Sequence, residues 1–226
     1  MFMKLKAVSI AVAALGAGLA GTVQATVLLP GGGPLAVDIV ASAPGGAVLA
    51  AASGTLTTPH WSGTYRTAVV DGPEAGPNLD FYYQVTNSSG STDALGRITG
   101  ADFNNAFITN VMQTNAAFDG FVAGGQAAFS GDRDLLGVVG FDFLPGTSGT
   151  GKIDPGESSY LLIIRTNAAT FTEGTMAVIN GTATFANAFQ PSGQPPLVGP
   201  IPEPGTMALL ATGLLALGGA ARKRRQ

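Results

Sequence analysis

A chain of 226 residues is long enough for one domain of ordinary size, or two small ones, once targeting segments are set aside; one is the simpler expectation. Thirty-three glycines and 11% charged residues describe a turn-rich chain poor in helix formers, and the lack of cysteine excludes disulfides, thiolate nucleophiles and Cys-based zinc sites. The formal net charge of −3 hides a division: Lys4, Lys6, Arg222, Lys223, Arg224 and Arg225 lie at the ends, while Thr26 to Pro200 holds thirteen acidic and five basic residues, net −8, which argues against a nucleic-acid partner.

At the N-terminus, Lys4 and Lys6 precede an uncharged run from Ala7 to Ala20 and the small-residue site Val23-Gln24-Ala25. That order predicts a secretory signal helix over 1–25, cleaved after Ala25, because the apolar run falls short of the roughly 20 residues that span a bilayer. An uncleaved anchoring helix is the alternative, and either predicts export.

Alternation then predicts strands. Thr64 to Val70 puts Tyr65, Thr67 and Val69 on one face and stops at Asp71-Gly72-Pro73. Leu79 to Thr86 sets Leu79, Phe81, Tyr83 and Val85 against Asp80, Gln84 and Thr86, and ends at the turn cluster Asn87-Ser88-Ser89-Gly90. Ala101 to Phe118, through Phe103, Phe107 and Val111, offers a possible short helix, which its asparagines weaken. Val138 to Phe143 places Val139, Phe141 and Phe143 together, and Asp154-Pro155-Gly156-Glu157 suits a type II turn feeding a strand from Tyr160 to Arg165. This last strand is apolar on both faces, which predicts a central position. Asn180-Gly181 predicts a type I′ hairpin whose strands continue to about Phe185.

From Gln190 the chain becomes proline-rich, predicting an extended stalk over 190–200 that rises about 3.1 Å per residue. The tail, 201–226, reads Ile201-Pro202-Glu203-Pro204-Gly205, an uncharged stretch from Thr206 to Ala221, then Arg222-Lys223-Arg224-Arg225-Gln226. A helix over 206–221 would be roughly 25 Å long, enough to cross a bilayer with mild thinning. Clustered positive charge stays cytoplasmic, so everything before Pro204 would lie outside, in agreement with the signal peptide. The expected fold is all-β: an antiparallel β-sandwich over 26–189, Ig-like or jelly-roll-like, flanked by the signal helix and a C-terminal transmembrane helix.

The tail carries a family resemblance. A Pro-Glu-Pro triplet, a short apolar helix and a terminal Arg-rich cluster, in that order, resemble the PEP-CTERM sorting signal. The resemblance covers about the last 26 residues and implies an exosortase-type membrane protease as partner, recognition at Pro202, Glu203 and Pro204, and a link to exopolysaccharide and biofilm matrix. A plain C-terminal anchor behind a stalk is the alternative. More loosely, Phe81-Tyr82-Tyr83-Gln84-Val85-Thr86-Asn87, with Ile153 to Ser159 later, looks like the Ig-like sandwiches of bacterial surface proteins.

Chemistry is sparse between the ends. Gly146 to Lys152 approaches a phosphate-binding loop, but Ile153 stands where a magnesium-binding Ser or Thr belongs and Pro155 blocks the helix that should follow. Asp132 and Asp134, with Asp119, are candidate calcium ligands without EF-hand spacing, for which solvated loop charges are the default. His60 is the only histidine and no Gly-x-Ser-x-Gly elbow accompanies it. Trp61, the only tryptophan, is either a stacking platform for a sugar or a plug in the end of the core, and the plug is the commoner use. Asn87-Ser88-Ser89 and Asn180-Gly181-Thr182 fit a glycosylation pattern that chance often produces. No cofactor is expected. The leading expectation is a non-enzymatic exported surface or matrix protein; the alternatives are a carbohydrate-binding module using Trp61 and exposed tyrosines such as Tyr82, and an exported hydrolase using paired carboxylates.

Overall fold

The computed structural model describes residues 25–73, 78–143 and 151–194. The expected signal helix up to Gln24 and transmembrane helix over 206–221 lie outside these residues; among the described residues there is no helix long and apolar enough to cross a membrane. The described strands are β1 (Thr26–Val27), β2 (Gly32–Leu35), β3 (Asp38–Ile39), β4 (Val48–Thr57), β5 (Ser62–Asp71), β6 (Leu79–Asn87) and β7 (Arg97–Gly100). They continue with β8 (Thr109–Thr114), β9 (Ser130–Arg133), β10 (Val139–Asp142), β11 (Leu161–Thr166), β12 (Thr170–Asn180) and β13 (Thr182–Ser192).

One sheet has the order β4-β5-β6-β11-β8, with β1 and β3 end to end along the outer edge of β8; the other runs β2-β9-β10-β7-β12-β13. Every pairing is antiparallel except β3 with β8. This order differs from the four-plus-three arrangement of an immunoglobulin-like sandwich.

The sheets pack face to face because the alternating residues of their inner faces are apolar. Phe81, Tyr83 and Val85 of β6, Leu162 and Ile164 of β11 and Val111 of β8 meet Ile98 of β7, Val139 and Phe141 of β10, and Met176 and Val178 of β12 in one buried cluster. Phe103 stands edge-on to Phe81 at 5.2 Å between ring centroids. The fully buried side chains of this cluster each contribute about 1.5–3 kcal/mol of transfer free energy.

A second cluster explains why β11 is apolar on both sides. On the outer face of the first sheet, Ala68, Val70, Tyr82, Met112, Leu161 and Ile163 lie under Phe121, with Val40, Ala43 and Phe118 packed against them. One glutamine fastens this cover. Gln84 donates to the Val122 and Ser159 carbonyls and accepts from the Val122 N–H. On the opposite face of the sheet, two residues on from Val111, Gln113 fastens other segments in the same way, donating to the Val37 and Ala128 carbonyls and accepting from the Ala128 N–H. The polar positions of the alternation thus hold loops instead of meeting water, and β11 lies in the middle of the sheet as its composition predicts.

Three expectations are corrected. Ala101 to Phe118 is no helix: residues 101–108 form a loop, with Asp102 at a φ of 61°, and lead into β8. Phe103, Phe107 and Val111 still reach the core, the two phenylalanines from the loop and Val111 from the strand. The Asn180-Gly181 hairpin forms, but Asn180 pairs with Thr182 and only Gly181 adopts a positive φ, 74°, so it is not the type I′ turn expected. β13 runs to Ser192, where it pairs with Thr170, so Gln190, Pro191 and Ser192 belong to the sheet and not to a stalk. The Asp154–Glu157 turn forms as expected: the Glu157 N–H donates to the Asp154 carbonyl at 3.0 Å and Gly156 takes a φ of 90°.

Burial pushes the phenol groups of Tyr82 and Tyr83 far above their ordinary value of 10.0; the Tyr83 hydroxyl donates to the Phe189 carbonyl at 3.0 Å. The folded state therefore keeps both protons when the unfolded chain loses them. Stability contributed by each group is intact below about pH 10 and falls by about 1.4 kcal/mol per pH unit above it. Denaturant titrations at pH 9 and 11 should show this loss, and Tyr83→Phe should reduce the slope by about half. An unchanged slope would contradict it.

Candidate functional site

The acidic candidates are engaged within the fold. On the outer face of the second sheet, Arg97 of β7 reaches across β10, donating to Asp142 at 2.7 Å and to Asp132 of β9 at 3.0 Å. It crosses directly above Gly140, where any Cβ would overlap the guanidinium. The two carboxylates raise the Arg97 pKa further against the opposing effect of its burial. Asp134 turns away from this pair: its Oδ1 accepts the N–H groups of Leu136 and Val138, each at 2.8 Å, and closes the β9–β10 turn. Asp132 and Asp134 therefore serve two separate structural purposes. Asp119 lies elsewhere, its carbonyl accepting from Arg66. Among the described residues no three His, Cys, Asp or Glu side chains converge as a metal site.

Trp61 is placed by the β4–β5 hairpin. Thr57 pairs with Ser62, and between them the Thr58 hydroxyl accepts the Trp61 N–H while the Thr58 N–H donates to the Trp61 carbonyl. This turn drives the indole inward beside Leu56, leaving it 3% exposed, with His60 outside. A sugar-stacking role is overturned by that burial, and Tyr82, buried between Phe118 and Phe121 at 5.2 and 6.0 Å, is likewise no exposed platform. Trp61→Ala should cost about 3–5 kcal/mol, as removal of a large core side chain does. Thermal melting of the variant checks this; a change below about 1 kcal/mol would contradict the core role.

Asn87 is also fully buried, its amide donating to the Asp93 and Ile153 carbonyls, which removes it as a glycan acceptor. Asn180, at the hairpin, donates to the Asp93 carboxylate at 3.0 Å. Of the phosphate-loop candidate, residues 144–150 lie outside the described residues; Lys152 precedes Ile153, which is buried and bridged to Leu95.

The structure adds a polar shelf that the sequence reading did not assemble. Ser53 and Thr55 of β4, Thr64 and Arg66 of β5, and Gln84 and Thr86 of β6 line an open depression of about 410 Å³ on the outer face of the first sheet. Register makes it: Ser53 pairs with Arg66 and Arg66 with Gln84, while Thr55 pairs with Thr64 and Thr64 with Thr86. Arg66 lies 5.2 Å from the Phe121 ring centre and donates to the Asp119 carbonyl at 2.9 Å. The available signal was a hydroxyl or amide at every second residue on three strands.

The clearest functional assignment comes from outside the described fold. Residues 200–225 match the PEP-CTERM protein-sorting motif. The chain carries a PEP-CTERM signal. That signal contains Pro202, Glu203 and Pro204 and the positive cluster Arg222, Lys223, Arg224 and Arg225, and it marks an exported, membrane-anchored precursor for exosortase processing. The PEP-CTERM match spans only the tail, and no curated protein and no solved structure matches the chain.

Proposed function

We propose that this chain is a non-enzymatic component of the cell surface or extracellular matrix, delivered by its tail and associated with exopolysaccharide. The PEP-CTERM motif at residues 200–225 is the observation that carries the reading. In this scheme the signal peptide directs export and is cut after Ala25, the apolar stretch 206–221 holds the precursor in the inner membrane, and the exosortase acts near Pro202-Glu203-Pro204. The arginine cluster fixes orientation by remaining cytoplasmic. The sandwich is the part that is displayed.

The uses found for the carboxylates support a structural reading over a hydrolytic one. Asp132 and Asp142 hold Arg97, Asp134 closes a turn, and Asp80 holds Arg165. Each has a role that catalysis would disturb, since a general acid or base must be released to exchange its proton with substrate.

Exopolysaccharide prepared from the producing cells and sedimented should carry the wild-type protein with it, without release of reducing ends. Protein that stays in the supernatant would contradict the matrix association, and released reducing ends would contradict the non-enzymatic assignment. The hydroxyl-lined shelf favours carbohydrate binding as a second reading, with Arg66 as the fixed donor. On that reading Arg66→Gln lowers co-sedimentation severalfold while the melting temperature stays near wild type.

A further inference from the structure

The β9–β10 hairpin presents two adjacent leucines to water. Leu135 is 71% exposed and Leu136 82%, so neither supports the core. Yet the turn that carries them is firmly built. Asp134 closes it through Leu136 and Val138, Gly137 occupies a φ of 85°, the Gly137 carbonyl accepts the Phe103 N–H at 2.8 Å, and Asn105 donates to the Leu135 carbonyl. A rigid turn that displays apolar side chains resists the collapse that would hide them.

Two more exposed apolar residues lie at the same end. Leu29, 67% exposed, follows Leu28, whose N–H donates to the Thr109 carbonyl; Ile108, 54% exposed, precedes Thr109. Gly31, in the turn after Leu29, lies against the Leu135 side chain. Beneath them the buried Arg133 guanidinium donates to the carbonyls of Leu28, Phe103, Asn104 and Phe107, tying the three loops together. Its burial without a carboxylate lowers its pKa, a cost spent on making this end rigid.

The polypeptide leaves the sandwich here. Gln190, Ser192 and Gly193 share a depression of about 550 Å³ with Asn105, Leu135 and Leu136. Only residues 195–205 separate Gln194 from the apolar stretch that begins at Thr206. Fully extended, such a linker reaches about 35–40 Å, so a bilayer holding the tail lies within that distance of Gln194, which follows the residues that share the depression with the leucines.

We propose that this end of the sandwich docks on the membrane that holds the precursor, with Leu29, Ile108, Leu135 and Leu136 inserted at the lipid interface. The inference rests on the membrane-anchored reading above. Lipid is the occupant because the tether brings a bilayer to this end, and because separate protruding side chains suit a fluid interface better than a shaped protein groove. The acidic domain offers no attraction to anionic lipid, so apolar insertion drives the contact and added salt leaves it unchanged.

The test uses the full chain reconstituted in phosphatidylcholine vesicles, with tryptophan reporters at Leu136→Trp and, at the opposite end, Ser89→Trp. Flotation with the vesicles reads the anchor; quenching by brominated lipid reads the docking. The expected result is that both variants float, that Leu136→Trp is blue-shifted and loses most of its reporter emission in brominated vesicles, and that Ser89→Trp does not. Leu135→Trp repeats the measurement should Leu136→Trp fold poorly. Floating protein with an unquenched Leu136 reporter, including one protected in a dimer, overturns the docking and leaves the anchor intact. Protein that fails to float overturns both.

Discussion

Asp80→Ala is expected to destabilise the sandwich by about 3–5 kcal/mol, enough to remove much of the stability of an ordinary domain. Asp80 and Arg165 face each other across β6 and β11 in the middle of the first sheet. Both are buried, and their contact is bidentate: Arg165 Nε donates to Oδ1 at 2.8 Å and a terminal nitrogen donates to Oδ2 at 2.9 Å. Removing the carboxylate takes the bidentate acceptor from a buried guanidinium, and the desolvated charge that remains, more than the lost attraction, sets the size of the effect. The melting temperature should fall by about 10 °C or more. The paired replacement Asp80→Leu with Arg165→Met removes both charges and should recover most of the loss, because an apolar pair of similar volume often replaces a buried ion pair at little cost. Thermal and urea unfolding of the three proteins decides it. A single variant that loses less than about 1 kcal/mol would show that the Asp80 carboxylate is not what compensates the buried Arg165 charge.

The second large effect concerns location. Replacing Pro202, Glu203 and Pro204 by alanine should leave the sandwich unaltered, since β13 ends at Ser192 and the triplet lies beyond it. The apolar stretch and the positive cluster are also kept, so export and anchoring should persist. What changes is recognition: the variant should accumulate uncut in the inner membrane while the wild type leaves it. Fractionation followed by immunoblotting reads the difference. Equal distributions would remove the triplet from the sorting step and leave the positive cluster and the apolar stretch as the whole signal.

The legible parts of this protein share a local cause. In β5, β6 and β10 one face is the sandwich core, so period-two alternation was visible in Tyr65 to Val69, Leu79 to Val85 and Val139 to Phe143. β4 was not legible, because Ala50 to Thr57 alternates between small residues whose inner and outer positions differ little in hydropathy. The short strands β1, β2 and β3 take their conformation from β8 and β9 and have little pattern of their own. Phe103, Phe107 and Val111 imitated a helical stripe because a loop and a strand each sent apolar side chains to one core.

Sites follow the same rule. Trp61 was legible as a core plug, since the hairpin that buries it is local. Tyr82 reads as exposed from its own strand because its cover, Phe118 and Phe121, comes from a distant loop. Asp132 reads as a metal ligand from its own segment, whereas in the fold Arg97, 35 residues away in sequence, reaches it across Gly140. The shelf around Arg66 required the register of three strands, which no single segment states. The sorting motif over 200–225 was legible because its three elements are contiguous and their order is itself the signal.

The central claim is that the tail is a sorting signal that is used and removed. Intact-mass spectrometry of the native protein recovered from the cell surface or medium tests it most directly. The account predicts a product that begins at Thr26 and ends near the Pro202-Glu203-Pro204 triplet, without the stretch from Thr206 to Gln226. A mass that still includes that stretch would contradict it and make the sandwich a permanently anchored domain.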